Sequence, residues 1–202
     1  MQSRIYEFYG RKKYQGVLNK VWWNYFQEEN ITIIFSKRLF PMKTLILVRH
    51  AKSNWTEINQ KDIDRPLNSE GKMEAAEMAL RLKEKGTSID HFISSPAKRA
   101  TDTCKIFCET LENNVQDIYT VENLYEGSTF NYEAAVNKIP NEYKRVAIFG
   151  HNPGISYFSH KLSDEVYIDN FPSCGVYAIE ADCESWNDFM LAEKRVLFFE
   201  HP

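Results

Sequence analysis

The chain predicts an α/β fold in which a mostly parallel sheet is flanked by helices. Three observations carry that expectation. Strand-like apolar runs alternate with helical stretches from residue 42 onward, two of those runs deliver a histidine into a turn, and a third ends in a Ser-Pro turn that opens a helix. Strands alternating with helices imply βαβ units, and hence a mostly parallel sheet.

The first strand is the apolar run at 44–49. A helix follows near 70–85, with Ala75, Met78, Ala79 and Leu82 as its apolar stripe, Ser69 placed to cap its start and Gly86 able to take the left-handed closing conformation. A strand near 90–94, a helix near 96–112 and a strand near 117–121 continue the rhythm. A helix near 129–138, the strand 145–149 and a helix beginning around Pro153 and running to Leu162 extend it. The segments 175–179 and 195–199 alternate like two further strands, joined by a helical turn around Trp186, which reads as a cover for the core.

A chain of 202 residues fits one domain with an appendage, since domains cluster at ~100–150 residues. The composition, 43% hydrophobic and 26% charged, is that of a soluble protein. No run approaches the ~20 apolar residues that cross a bilayer, so no membrane partner is expected. The net charge of −3 is uneven: residues 1–41 hold seven Lys or Arg against three Glu, and the remainder holds 18 basic against 25 acidic residues. An acidic body with a local basic pocket argues against nucleic acid as a partner, which calls for a clustered basic face. Cys104, Cys108, Cys174 and Cys183 form no Cys-x-x-Cys pair and show no cysteine–histidine ligand spacing, so no metal is expected. They read as reduced, buried thiols of a cytoplasmic protein.

Leu45-Ile46-Leu47-Val48-Arg49-His50 and Ile148-Phe149-Gly150-His151-Asn152-Pro153-Gly154 each bring a histidine to a strand's end. Ligands of open α/β sheets gather beyond the carboxyl ends of the strands, so His50 and His151 can share a pocket although distant in sequence. In Phe92-Ile93-Ser94-Ser95-Pro96-Ala97-Lys98-Arg99-Ala100, proline is suited to the first helical position and Arg99 falls in the first turn, where amides and guanidinium both favour an anion. Arg49, Arg99, His50 and His151 thus form a candidate phosphate cage.

These three segments, in this order, resemble the histidine phosphatase superfamily, marked by an Arg-His pair after the first strand, Ser-Pro-x-x-Arg-Ala and a later Gly-His. The fuller strings Val48-Arg49-His50-Ala51-Lys52-Ser53-Asn54-Trp55 and Asp62-Ile63-Asp64-Arg65-Pro66-Leu67-Asn68 are similar to the SixA-like phosphohistidine phosphatase branch. The resemblance covers 42–202 and implies a three-layer, phosphoglycerate mutase-like sandwich. It also implies a metal-independent phosphatase, without cofactor, in which His50 is the nucleophile and forms a phosphohistidine intermediate. Arg49 and Arg99 would hold the phosphoryl oxygens, and His151, protonated amid bound phosphate, would stabilise the transition state. The implied substrate is protein phosphohistidine. Small phosphoesters, or a non-catalytic phosphate-binding role, are the alternatives.

Candidates to protonate a leaving group are Glu126 and Asp64, with Asp62 beside them. Arg65, Ser53 and Asn152 are candidates to bind substrate. Two positions depart from the wider superfamily: Ala51 stands where glycine is usual, as is common in the SixA-like branch, and Thr56 replaces an asparagine that the superfamily resemblance implies as a phosphate or sugar contact. Residues 1–41 read as an N-terminal extension, either a poorly ordered tail or the product of an upstream start, because Met42 resembles the first residue of family members. The mixed apolar and polar stretch 17–26 also admits a membrane-surface or partner-binding segment.

Overall fold

The computed structural model describes residues 42–55 and 59–202, together with the backbone of two short strands, β1 (Tyr6–Phe8) and β2 (Ile33–Phe35). The chain divides into two units, Met1–Leu39 and Phe40–Pro202. In the first, β1 and β2 pair in parallel. The expectations for the rest of 1–41 and for Thr56 lie outside the described residues.

The second unit is built on a six-stranded sheet ordered β5-β4-β6-β3-β7-β8. Its strands are β3 (Met42–Arg49), β4 (His91–Ser94), β5 (Tyr119–Thr120), β6 (Arg145–Gly150), β7 (Val176–Asp182) and β8 (Lys194–Glu200). The pairs β5–β4, β4–β6 and β6–β3 are parallel, while β7 runs against both β3 and β8, so it alone breaks the common direction. The helices are α1 (Ser69–Glu84), α2 (Lys98–Thr110), α3 (Thr129–Asn137) and α4 (Gly154–Leu162).

The apolar run of β3 is fully buried on both faces, which is what places it at the centre. Strand alternation sends Leu45 and Leu47 toward a core shared with Tyr132, Val136, Ile155 and Phe158 of α3 and α4. Ile46 and Val48 face the opposite core, with Ala75, Met78, Ala79 and Leu82 of α1 and Cys104, Phe107 and Cys108 of α2. Two cores, one on each side of a central sheet, make the three-layer sandwich. Each Leu, Ile, Val, Met or Phe among them contributes roughly 1.5–3 kcal/mol relative to exposure. The cysteines are free and buried. Trp186 is fully buried in a 3₁₀ turn, Trp186–Asp188, and its indole donates to the Tyr143 carbonyl at 2.9 Å.

Several boundaries differ from the sequence expectation, each for a local reason. The α1 cap is Asn68 rather than Ser69: its Oδ1 accepts from Gly71 N at 2.7 Å, and its own N–H is drawn to the Lys52 carbonyl at 3.1 Å. Gly86 does adopt φ 71°, the left-handed conformation that closes this helix. Pro96 is not the first helical residue; the cap is Ala97 and α2 begins at Lys98, which still leaves Arg99 in the first turn. The strand near 117–121 shortens to Tyr119–Thr120 because the Asn114 side chain accepts from Gln116 N at 3.1 Å and closes a 3₁₀ turn over Val115–Asp117.

Candidate active site

β3 and β6 are parallel neighbours in which Arg49 is level with Gly150. The next residue on each is a histidine, so the shared register brings His50 and His151 together at the carboxyl ends, with ring centroids 5.1 Å apart. The approach is possible because Gly150 has no side chain: a Cβ there would lie 1.9 Å from the Tyr132 hydroxyl. That hydroxyl accepts from His151 N at 3.0 Å and donates back to the His151 carbonyl at 3.4 Å, bracing the second histidine from α3.

His50 is oriented by both ring nitrogens. Nδ1 lies 2.8 Å from the Ala51 carbonyl, which can only accept, so Nδ1 carries the proton and Nε2 keeps its lone pair. Nε2 accepts from Arg99 Nε at 3.2 Å. The loop beyond it is tied to α2 by Thr103, whose hydroxyl accepts from Ala51 N at 3.1 Å and donates to the Arg99 carbonyl at 2.7 Å. Burial, then the charges of Arg99, Arg49 and Arg65, hold the His50 ring down at about 4, against the upward pull of its backbone hydrogen bond. The imidazole is therefore neutral at physiological pH, the form a nucleophile requires.

Arg99, only 5% exposed, carries a bond on each nitrogen: Nε to His50, Nη1 to the Asp62 carbonyl at 2.7 Å and Nη2 to the Asp62 carboxylate at 2.9 Å. Arg49 donates from Nη1 to the Phe171 carbonyl at 2.5 Å, while its buried Nε has no hydrogen-bond partner among the described residues. His151 shares a 2.6 Å hydrogen bond between Nε2 and the Ser95 hydroxyl, and its buried Nδ1 is likewise unpartnered among the described residues. Burial, His50 and Arg99 push the His151 ring down to about 3. The resemblance implies a protonated His151 only amid bound phosphate. Charging this ring requires an anion to offset the surrounding arginines.

The cage opens into a cleft of about 590 Å³ lined by Arg49, His50, Arg65, Arg99, His151 and Asn152, among others. Ser53 also lines it and accepts from Arg65 Nη1 at 2.6 Å, and the Arg65 guanidinium lies over the Trp55 ring at 5.3 Å. Asn152 donates to the Phe171 carbonyl at 3.0 Å and accepts from the Ser156 hydroxyl at 2.8 Å. Asp64 and Glu126 are exposed and lie outside the residues lining the cleft. The carboxylate that reaches the cage is Asp62, because the 3₁₀ turn Asp62–Asp64 turns its first residue toward Arg99. Burial raises its pKa, but Arg99, the Tyr125 hydroxyl and Arg65 overcome that and leave it below the ordinary carboxylate range, an acceptor rather than a proton donor.

Sequence reasoning does not reach Ser95, Thr103, Tyr125 or Tyr132 as site residues. Ser95 stands inside the Ser-Ser-Pro string and has a signal there; the other three meet the site only through tertiary contact. Among the described residues, no three His, Cys, Asp or Glu side chains converge as metal ligands do, and no helix is long and apolar enough to cross a membrane.

The family model for the histidine phosphatase superfamily (branch 1) matches residues 45–154. An uncharacterized chloroplastic protein of Arabidopsis thaliana is 25% identical over 154 residues, covering 72% of this chain and 70% of the other. The 2,3-bisphosphoglycerate-dependent phosphoglycerate mutase of Thermoplasma acidophilum is 30% identical over 146 residues, covering 69% of this chain and 64% of the mutase, slightly less than two thirds of its length. Among solved structures, a proposed phosphohistidine phosphatase SixA from Agrobacterium tumefaciens shares the fold at a TM-score of 0.67 and 24% identity, over 81% of this chain and 99% of that one. With its two strand-end histidines, its paired arginines and the family match spanning all three motifs, the chain belongs to the histidine phosphatase superfamily, branch 1.

Proposed function

We propose that the protein is a metal-independent phosphatase that works through a phosphohistidine intermediate on His50, and that its substrate is a protein phosphohistidine. The observation that carries the proposal is the state of His50: a neutral ring whose Nδ1 is committed to Ala51 O and whose Nε2 lone pair stands against Arg99. Nε2 attacks phosphorus, the bond from phosphorus to the substrate nitrogen breaks, and its electron pair leaves on the departing imidazole, which takes a proton from water. A water molecule then attacks the phosphohistidine, releasing phosphate and returning His50 to its neutral form. Arg49 and Arg99 hold the phosphoryl oxygens with fixed charge and forked donors. His151 becomes protonated only when the phosphoryl charge is present. Arg65, Ser53 and Asn152 border the substrate in the cleft.

The placement of the carboxylates supports this reading of the substrate class. Glu70 lines the cleft but is paired with Lys52 at 2.6 Å, Asp62 is held ionised, and Asp64 and Glu126 stand outside the lining. A phosphoester needs a proton on its departing alkoxide, whereas the imidazole of a phosphohistidine leaves more readily. The relative of Agrobacterium tumefaciens carries the phosphohistidine name. A second reading, a phosphatase of small phosphoesters, is favoured by the sequence relative named as a phosphoglycerate mutase.

The test is phosphate release from a protein phosphorylated on histidine with phosphoramidate, in the presence of a chelator, by wild type and His50→Ala. Release by wild type alone supports the proposal. Release from p-nitrophenyl phosphate or a phosphoester panel, with none from the phosphohistidine protein, replaces it with the second reading.

A further inference from the structure

Arg99 meets an internal carboxylate in the position a phosphoryl oxygen needs. The guanidinium presents a forked edge formed by Nε and Nη2. Nε donates to His50 Nε2, the nitrogen that would attack phosphorus, and Nη2 donates to Asp62 Oδ2 at 2.9 Å. A phosphoryl group lying against His50 Nε2 and gripped by this edge replaces both contacts, one oxygen on Nε and a second on Nη2. Asp62 is well supplied with partners for such an exchange. Its Oδ1 is held by Arg65 from Nε at 3.2 Å and Nη2 at 3.1 Å, and its Oδ2 also accepts from the Tyr125 hydroxyl at 3.0 Å. It can release Arg99 without becoming an unpaired charge.

We infer that Asp62 is a positioning residue that stands in for a phosphoryl oxygen on Arg99 and competes with phosphate for it. Between turnovers the carboxylate keeps the forked edge aligned with His50, and as phosphate departs it reclaims Nη2, limiting retention of the product. This rests on the phosphatase reading of the cage. It assigns Asp62 neither proton transfer nor contact with the leaving group.

The experiment is titration of wild type and Asp62→Asn with orthovanadate and inorganic phosphate. The substitution keeps the size of the side chain and the main-chain acceptor for Nη1 but removes the competing charge. The variant is expected to bind both anions about tenfold more tightly, the scale of one partly buried charge-assisted contact. A purely structural role for Asp62 predicts the opposite, weaker binding as Arg99 loses alignment. Unchanged or weaker binding by Asp62→Asn, with wild type binding normally, overturns this inference alone. A wild type that binds neither anion overturns the phosphatase reading as well. Should the variant fail to fold, a structure of the wild type with vanadate decides. Vanadate on Arg99 Nη2 with the Asp62 carboxylate displaced supports the inference, and an intact Arg99–Asp62 pair in that complex refutes it.

Discussion

Lowering the pH should destabilise this protein through its own active site. Burial and neighbouring arginines hold His50 at about 4 and His151 at about 3, against ordinary imidazole values near 6.5. A base whose pKa is depressed on folding binds fewer protons folded than unfolded between the two values. Stability therefore rises with pH across that window: it is fully present above the unfolded value and is lost as pH falls toward the folded one. For one ring shifted from about 6.5 to about 4, the loss between pH 7.5 and pH 5.5 is about 1.4 kcal/mol, so two rings give about 3 kcal/mol. Half-buried His91 is shifted in the same direction by burial and adds to it.

In a chain of 202 residues, that loss corresponds to a fall in Tm of about 6–12 °C. Differential scanning calorimetry at the two pH values reads it directly. His50→Ala should remove part of the pH dependence by deleting one of the two rings. Saturating phosphate should also shrink it, because an anion in the cage raises both folded-state pKa values toward the unfolded one. A Tm that does not change between pH 7.5 and 5.5, or a His50→Ala variant with an undiminished slope, would refute the claim that the cage holds its histidines neutral.

Arg99→Lys keeps the charge but puts a compact ammonium in place of the planar fork that spans His50 Nε2, the Asp62 carbonyl and Asp62 Oδ2, so single-turnover phosphate release should slow by about 100-fold or more. Tyr132→Phe leaves the buried His151 N–H without its acceptor, and urea unfolding should report a loss of about 1–3 kcal/mol. Thr103→Val removes the hydroxyl that joins Ala51 N to the Arg99 carbonyl and should cost a similar 1–3 kcal/mol while slowing phosphate release. Thr103→Ser, which restores the hydroxyl, should recover most of both; a Ser variant no better than Val would count against the bridge.

The sheet and the cage are legible because their signals are local. An unbroken apolar run such as Leu45 to Val48 names a central strand, the stripe Ala75, Met78, Ala79 and Leu82 names a helix face, and the motifs name four of the cage side chains. Legibility ends where a residue's role is set by what packs against it. The cap of α1 is Asn68 and not Ser69 because a loop carbonyl at Lys52 reaches Asn68 first. Asp62 and Asp64 are alike in sequence, and only the sense of one 3₁₀ turn decides which of them meets Arg99. Thr103 and Tyr132 lie on helix faces that read as ordinary core, with nothing in their neighbours to announce a bond to a strand-end loop.

The relation between the two histidine motifs is not contained in either alone. Alternation of apolar and polar residues ordinarily fixes strand register, because a slip of one residue turns the apolar set toward water. The run Leu45 to Val48 of β3 is buried and apolar on both faces, so its alternation does not by itself distinguish one register against β6 from the next. Shape fixes one side of the pair, the seat of β6 against α3. The position facing the Tyr132 hydroxyl has no room for a Cβ, and a slip of one residue would put Phe149 or His151 where only Gly150 fits. With Gly150 held there, Arg49 lies level with it, His50 N donates to the Gly150 carbonyl at 3.1 Å, and the two imidazoles come to lie side by side. The glycine before the second histidine thus seats β6 against α3 as well as allowing the close approach. With β6 seated in this way, its parallel pairing to β3 brings two strand-end signals about a hundred residues apart into a single cage.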